Sequence, residues 1–208
     1  MGRTGRLRSS TAPRGGPMAD VLLFHHALGL TDGVVAFADG LRAGGHRVTT
    51  PDLYEGRTFS GLEAGVAHAE EVGFDVIVAA GVAAAEALPE RVVYAGMSLG
   101  VLPAQRLAQT RPGALGAVLL HAGVPVSAFG DWPERVALAA HTNRDDDWGD
   151  LDVLTDLVDQ VQGRADAELF VYEGSTHLFT DSSTPDHDPA SAALVLERVL
   201  AFLDRVGG

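Results

Sequence analysis

The sequence has no lysine and no cysteine; all 15 of its basic side chains are arginine. Without lysine there is no Schiff-base chemistry, no lysine-anchored pyridoxal phosphate and no Walker-A phosphate loop. Without cysteine there is no disulfide, no thiolate nucleophile and no thiolate metal ligand. Positive charge is scarce altogether. Against 28 acidic side chains the arginines leave a formal charge of −13, and phosphate contacts need clustered cations, so no nucleic-acid partner is expected. Long apolar runs are missing too. Nothing approaches the ~18 uninterrupted apolar residues of a membrane span, and the uncharged run around residues 114–130 is broken by His121 and Pro125. No membrane partner is expected either.

What is present suffices for one well-buried domain. The 208 residues are 46% hydrophobic, ordinary for a globular chain and too apolar for wholesale disorder. The first 17 residues stand apart, with Arg3, Arg6, Arg8 and Arg14 among Gly, Ser and Pro and no acidic residue. That composition predicts a disordered extension over residues 1–17, with residues 18–208 as the folded domain. Two other readings of the stretch are a transit-like segment and an upstream start with Met18 the true first residue. No apolar stretch separates the basic residues from Met18, so a secretory leader is not expected and a cytoplasmic location is.

From Ala19 onward, short β-rich apolar runs alternate with helical spacing. Strands are expected at Val21–Phe24, Arg47–Thr50, Val92–Ala95, Ala117–His121, Val136–His141 and Leu169–Tyr172. Helices are expected at Asp32–Ala43, Leu62–Gly73, Leu99–Gln109, Asp150–Val161 and Pro189–Val206, the last opened by Asp188 before its proline. The Ala-rich stretch Asp75–Leu88 is a second helix, or a strand followed by one; periodicity does not separate the two. Continuous apolar strands separated by helices imply a parallel sheet covered on both faces, hence a three-layer α/β domain.

Gly96-Met97-Ser98-Leu99-Gly100 falls between the cleanest strand and the helix after it. With 25 glycines in the chain the bare G-x-S-x-G pattern is only moderately informative. Its strand-turn-helix context is what a nucleophile elbow requires. Such a turn lifts Ser98 Oγ above the sheet and points the backbone N–H of Leu99 at an incoming oxyanion. A serine hydroxyl needs a base, and the base needs an orienter. Both should follow in chain order, each just past a strand. His177 lies beyond Leu169–Tyr172, and the run Asp145-Asp146-Asp147 lies beyond Val136–His141, so His177 is the base and one of the three aspartates the orienter.

These residues resemble the dienelactone hydrolases, small members of the α/β-hydrolase fold. The likeness runs over Ala19–Val206 and is carried by Val21–Gly29, Thr50-Pro51-Asp52-Leu53-Tyr54, Gly96–Gly100 and the late Asp146 and His177 segments. The resemblance implies a minimal, mostly parallel sheet with helices on both faces. It selects Asp146 from its neighbours, through the family's spacing of nucleophile, acid and base. It adds the Ala27 N–H as a second oxyanion donor beside Leu99. It also exposes departures. The family's usual nucleophile is Cys, replaced here by Ser98, and a glutamate that attends that thiol would fall near His26. Of the two arginines that hold a dienelactone carboxylate, Arg57 can be one, but the other would fall near Asp181, where the charge is wrong. His26, or else its neighbour His25 at the end of the same strand, and Arg57 are the candidates for lining a substrate pocket.

The expected activity is therefore hydrolysis of a carboxylic ester, lactone or thioester through a Ser98–His177–Asp146 triad and an acyl-enzyme. The expected partner is a small-molecule substrate other than dienelactone, with no cofactor and no metal. Asp186-His187-Asp188 is a metal cluster only superficially, since helix capping by Asp188 explains it. His121 and His141 end strands, where packing or backbone hydrogen bonding is the commoner role, and Trp148 either floors a pocket or packs. Two other classes compete with this reading. A catalytically silent hydrolase scaffold with a binding or regulatory role is compatible with the fold. A nucleotide-binding domain is not supported, because no G-x-G-x-x-G follows Val21–Phe24.

Overall fold

A computed structural model describes residues 17–208; the extension expected over residues 1–17 lies outside the described residues except for Pro17. The chain runs β1 (Asp20–Phe24), α1 (Asp32–Ala43), β2 (Arg47–Thr49), α2 (Leu62–Val72), α3 (Phe74–Ala84), β3 (Val92–Met97), α4 (Val101–Thr110), β4 (Ala114–Leu120), β5 (Ala137–Asn143), α5 (Leu151–Gln162), β6 (Ala167–Tyr172) and α6 (Pro189–Val206). The six strands form one sheet in the order β2-β1-β3-β4-β5-β6, and every pairing is parallel. This is the three-layer α/β architecture the apolar runs imply.

The period of two along each strand divides the interior into two cores. On β1, Leu22 and Phe24 face the same side as Leu107 of α4 and Leu154, Leu157 and Val161 of α5. Val21 and Leu23 face the other side, against Val34, Phe37 and Leu41 of α1 and Val195, Val199 and Phe202 of α6. Strands buried on both faces are apolar throughout, which is why β3 reads as an unbroken run.

Several elements differ from the sequence expectation for identifiable reasons. Residues 75–88 form no strand, because α3 continues the α2 crossover in a single helix after a turn at Gly73. The helix expected from Leu99 opens as a 3-10 turn over Ser98–Gly100, and regular α-helix begins at Val101. Strands β4 and β6 start earlier than expected, because pairing with their neighbours recruits Ala114 and Ala167. The α6 boundaries agree with the sequence, and Asp188 accepts from the Ala190 and Ser191 N–H groups as its cap. Among the described residues, no helix is long and apolar enough to cross a membrane.

The strand order places the site. From β1 the chain moves outward to β2, then returns through α2 and α3 to β3 on the opposite flank and continues outward to β6. The reversal falls between β1 and β3, and in open α/β sheets the crevice beyond the carboxyl ends at such a point receives ligands. Phe24 pairs with Gly96, so Ala27 and Leu99, each three residues further along, leave the sheet at the same level.

Candidate active site

Ser98 has a φ of 49°, the left-handed region in which a side chain costs about 1–2 kcal/mol. Two glycines make the turn possible. A Cβ on Gly96 would strike the Gly100 carbonyl, and one on Gly100 would lie 2.7 Å from the His25 carbonyl at the end of β1. The turn therefore packs on the neighbouring strand's terminus as well as on itself.

The structure brings Ser98, His177 and Asp146 into one hydrogen-bonded line. The Ser98 hydroxyl donates to His177 Nε2 at 2.7 Å, and His177 Nδ1–H donates to Asp146 Oδ2 at 2.7 Å. A carboxylate can only accept, so the Nδ1–H tautomer of His177 is fixed. Asp145 and Asp147 are exposed whereas Asp146 is 9% exposed, and the second Asp146 oxygen accepts the Trp148 N–H at 3.0 Å. Of the three adjacent aspartates, the middle one turns inward.

Two further contacts hold the acid and histidine loops together beyond the sheet. Asp145 N–H donates to the Gly174 carbonyl at 3.0 Å, and Asn143 Nδ2 donates to the Thr176 carbonyl at 2.8 Å. Sequence reasoning gave Asn143 no role; its only signal was its place at the end of β5. On the opposite wall, a Cβ on Gly65 of α2 would strike the Ala27 carbonyl, so the helix lies directly on the backbone carrying the Ala27 N–H. Among the described residues, that N–H makes no backbone hydrogen bond.

A cleft of about 400 Å³ opens beside His177, walled by Leu28, Leu62, Leu178, Pro185 and Trp148. Trp148 is 49% exposed, with its ring centroid 6.5 Å from that of His177. Its place is the cleft rather than the core.

Neither pocket residue expected from the sequence lines this cleft. His26 is fully buried; its Nε2–H donates to Asp181 Oδ2 at 2.6 Å and its Nδ1 accepts the Leu28 N–H at 3.2 Å. Both nitrogens are engaged, so the ring braces the loop carrying Ala27 instead of meeting substrate. Arg57 is exposed and lines a neighbouring cavity with His68 and Glu71, following a turn in which its N–H donates to the Tyr54 carbonyl.

Asp181 is the centre that sequence reasoning passed over. Besides His26, its carboxylate accepts from the Thr31 hydroxyl at 2.5 Å and from the Ser183 N–H and hydroxyl at 2.7 and 2.6 Å. Burial opposes its ionisation, but the hydrogen bonds from His26, Ser183 and Thr31 outweigh burial and hold the carboxyl well below the usual range. The network ties the β1–α1 loop to the segment after His177. Removing one partner of a buried pair costs about 3–5 kcal/mol. Asp181→Ala is expected to lose that much in urea unfolding, and Asp181→Asn less; a loss below about 1 kcal/mol for the alanine variant would show that the network contributes little.

Three further histidines, His25, His121 and His141, are fully buried. His25 Nδ1–H donates to the His26 carbonyl at 2.8 Å and its Nε2 accepts the Leu53 N–H at 3.0 Å, which gives the Pro51–Tyr54 patch a physical role. Asp52 closes the same turn by accepting the Tyr54 N–H at 2.9 Å. His121 contacts the Thr180 hydroxyl at 2.8 Å, and His141 the Tyr172 hydroxyl at 2.9 Å. Asp186 accepts the Leu178 N–H at 3.2 Å. Among the described residues, no group of three His, Asp or Glu side chains is placed to hold a metal ion.

A doubly wound parallel sheet with a strained serine between strand and helix, hydrogen-bonded to a histidine and an aspartate from later strand ends, defines the α/β-hydrolase fold. The sequence pattern of the dienelactone hydrolase family matches residues 5–207, and the chain belongs to that family of hydrolases. No curated protein matches it. A dienelactone hydrolase-like promiscuous phosphotriesterase from metagenomic libraries superposes with a TM-score of 0.70 at 18% identity, covering 93% of this chain and 88% of that one. A cold-adapted esterase from an Arctic intertidal metagenomic library gives a TM-score of 0.63 at 18% identity, with 93% and 84% covered. An esterase from Pyrococcus furiosus gives 0.62 at 13% identity, with 94% and 86% covered. At these identities the likeness speaks to the fold.

Proposed function

We propose that the protein hydrolyses carboxylic esters, lactones or thioesters through Ser98, His177 and Asp146. The observation that carries this reading is the unbroken hydrogen-bonded line from Ser98 Oγ through His177 to the buried Asp146. As Ser98 Oγ attacks the acyl carbon, its proton passes to His177 Nε2, and Asp146 stabilises the imidazolium that forms. The negative charge moves to the carbonyl oxygen, which accepts from the Leu99 and Ala27 N–H groups. Collapse expels the alcohol or thiol, which takes the proton from His177. Water then attacks the acyl-serine by the same route, and the freed Ser98 hydroxyl regains its proton.

The substrate is not dienelactone on this reading. Asp181 stands where the family resemblance calls for an arginine, and its carboxylate is already bound to His26. The esterase names of the superposed structures agree with the wider reaction class.

Labelling with a fluorophosphonate, read by intact mass, tests the assignment. The wild-type chain is expected to gain one adduct and folded Ser98→Ala none. Absence of any adduct on the folded wild type would instead favour a catalytically silent scaffold.

A further inference from the structure

We propose that the cleft beside His177 favours esters bearing a cationic group, an ammonium above all, and disfavours those bearing a carboxylate; this rests on the hydrolytic reading above. Besides its apolar walls, the cleft is lined by Glu63, Asp147 and Asp186, and no arginine lines it. Arg57, the candidate cation from the sequence, lines the neighbouring cavity, and Arg144 is paired with Glu173 at 3.0 Å. Carboxylates of one sign around a concave surface add their fields and raise the local concentration of cations while repelling anions.

Trp148 supplies the second, independent feature. Its backbone N–H is fastened to Asp146 Oδ1 at 3.0 Å while the residue stays half exposed, which puts an indole in the cleft lining beside His177. Among aromatic side chains, indole attracts cations most strongly. An indole and three carboxylates around one opening match a positively charged, poorly hydrated group such as a trialkylammonium. A carboxylate would meet like charge from Glu63, Asp147 and Asp186 with no cation to offset it. The Trp148 and His177 ring centroids are 6.5 Å apart, a separation that one small ester can span.

Three acetates of similar size separate charge from shape. They are acetylcholine, its uncharged isostere 3,3-dimethylbutyl acetate, and 3-acetoxypropionate. At low salt, kcat/KM for acetylcholine is expected to exceed that for the neutral ester by about 10-fold or more, with the anionic ester slowest. Added salt should narrow the gap, since the Debye length falls to about 10 Å at 0.1 M. In the double variant Glu63→Gln with Asp147→Asn, and separately in Trp148→Leu, the ratio should fall toward one. Cleavage of all three esters at rates indifferent to charge would leave the hydrolytic reading standing and overturn this one.

A binding measurement decides the charge preference without turnover. The chain has 2 tryptophans, and Trp132 is buried with its Nε1–H donated to the Val136 carbonyl. Choline added to Ser98→Ala protein should move only the Trp148 indole resonance, and 3,3-dimethylbutanol should move it far less. If none of the three acetates is cleaved, fluorophosphonate labelling still decides the hydrolytic reading, and this comparison decides the charge preference. Equal shifts from choline and its neutral isostere would overturn it.

Discussion

Replacing Ser98 by alanine is expected to lower kcat/KM for ester hydrolysis by about 10⁴-fold or more while leaving thermal stability nearly unchanged. The nucleophile is lost, but the turn is set by Gly96 and Gly100, whose added Cβ atoms would collide with backbone. Ser98→Gly distinguishes function from strain. It removes the nucleophile equally, but it also relieves a side chain held at a φ of 49°. That relief is worth about 1–2 kcal/mol and is partly offset by glycine's larger conformational entropy in the unfolded chain, about 0.5–1 kcal/mol. The inactive glycine variant should therefore melt no lower than the wild type. Full activity in folded Ser98→Ala would remove Ser98 from the mechanism.

Acid should unfold the protein unusually steeply between about pH 6.5 and pH 4. Burial pushes His25 down to about 4. Burial, aided by Arg198, pushes His141 down to about 3, and burial, aided by His177, holds His121 well below the ordinary range. In the unfolded chain each titrates near ~6.5. Their folded values are depressed, so below ~6.5 the unfolded state binds more protons. The stability each residue permits while neutral is lost as pH falls from there toward its folded value. Each histidine contributes about 1.4 kcal/mol per pH unit in that window, and three together about 4. Urea midpoints at pH 7, 6 and 5 measure the slope. A stability independent of pH across that range would overturn the account, and His141→Phe should remove roughly one proton from the uptake.

The sequence carried much of the fold because burial on both faces leaves a local trace. A strand such as Val92–Met97, covered on both sides, must be apolar throughout. Asp188 before Pro189 marks a helix start by capping chemistry that needs no distant partner. Residues 75–88 were ambiguous for the opposite reason. Alanine-rich stretches suit either element, and what decided for α3 was the helical crossover demanded by parallel β2 and β3.

For the site, the sequence determined the chemistry available. The absence of lysine and cysteine, the elbow glycines around Ser98, and a later aspartate and histidine at strand ends are facts of composition and local order that need no distant contact. Tertiary structure decided what those facts could not. It turned Asp146, and not Asp145 or Asp147, toward His177 at 2.7 Å, a choice the aspartate run itself leaves open and only the family spacing favours. It withdrew His26 into a buried pair with Asp181, 155 residues away. It carried Arg57 to another cavity and brought Trp148 to the cleft. Periodicity reports which face of an element is buried; it holds no information about which distant side chain meets a given group across the end of a sheet.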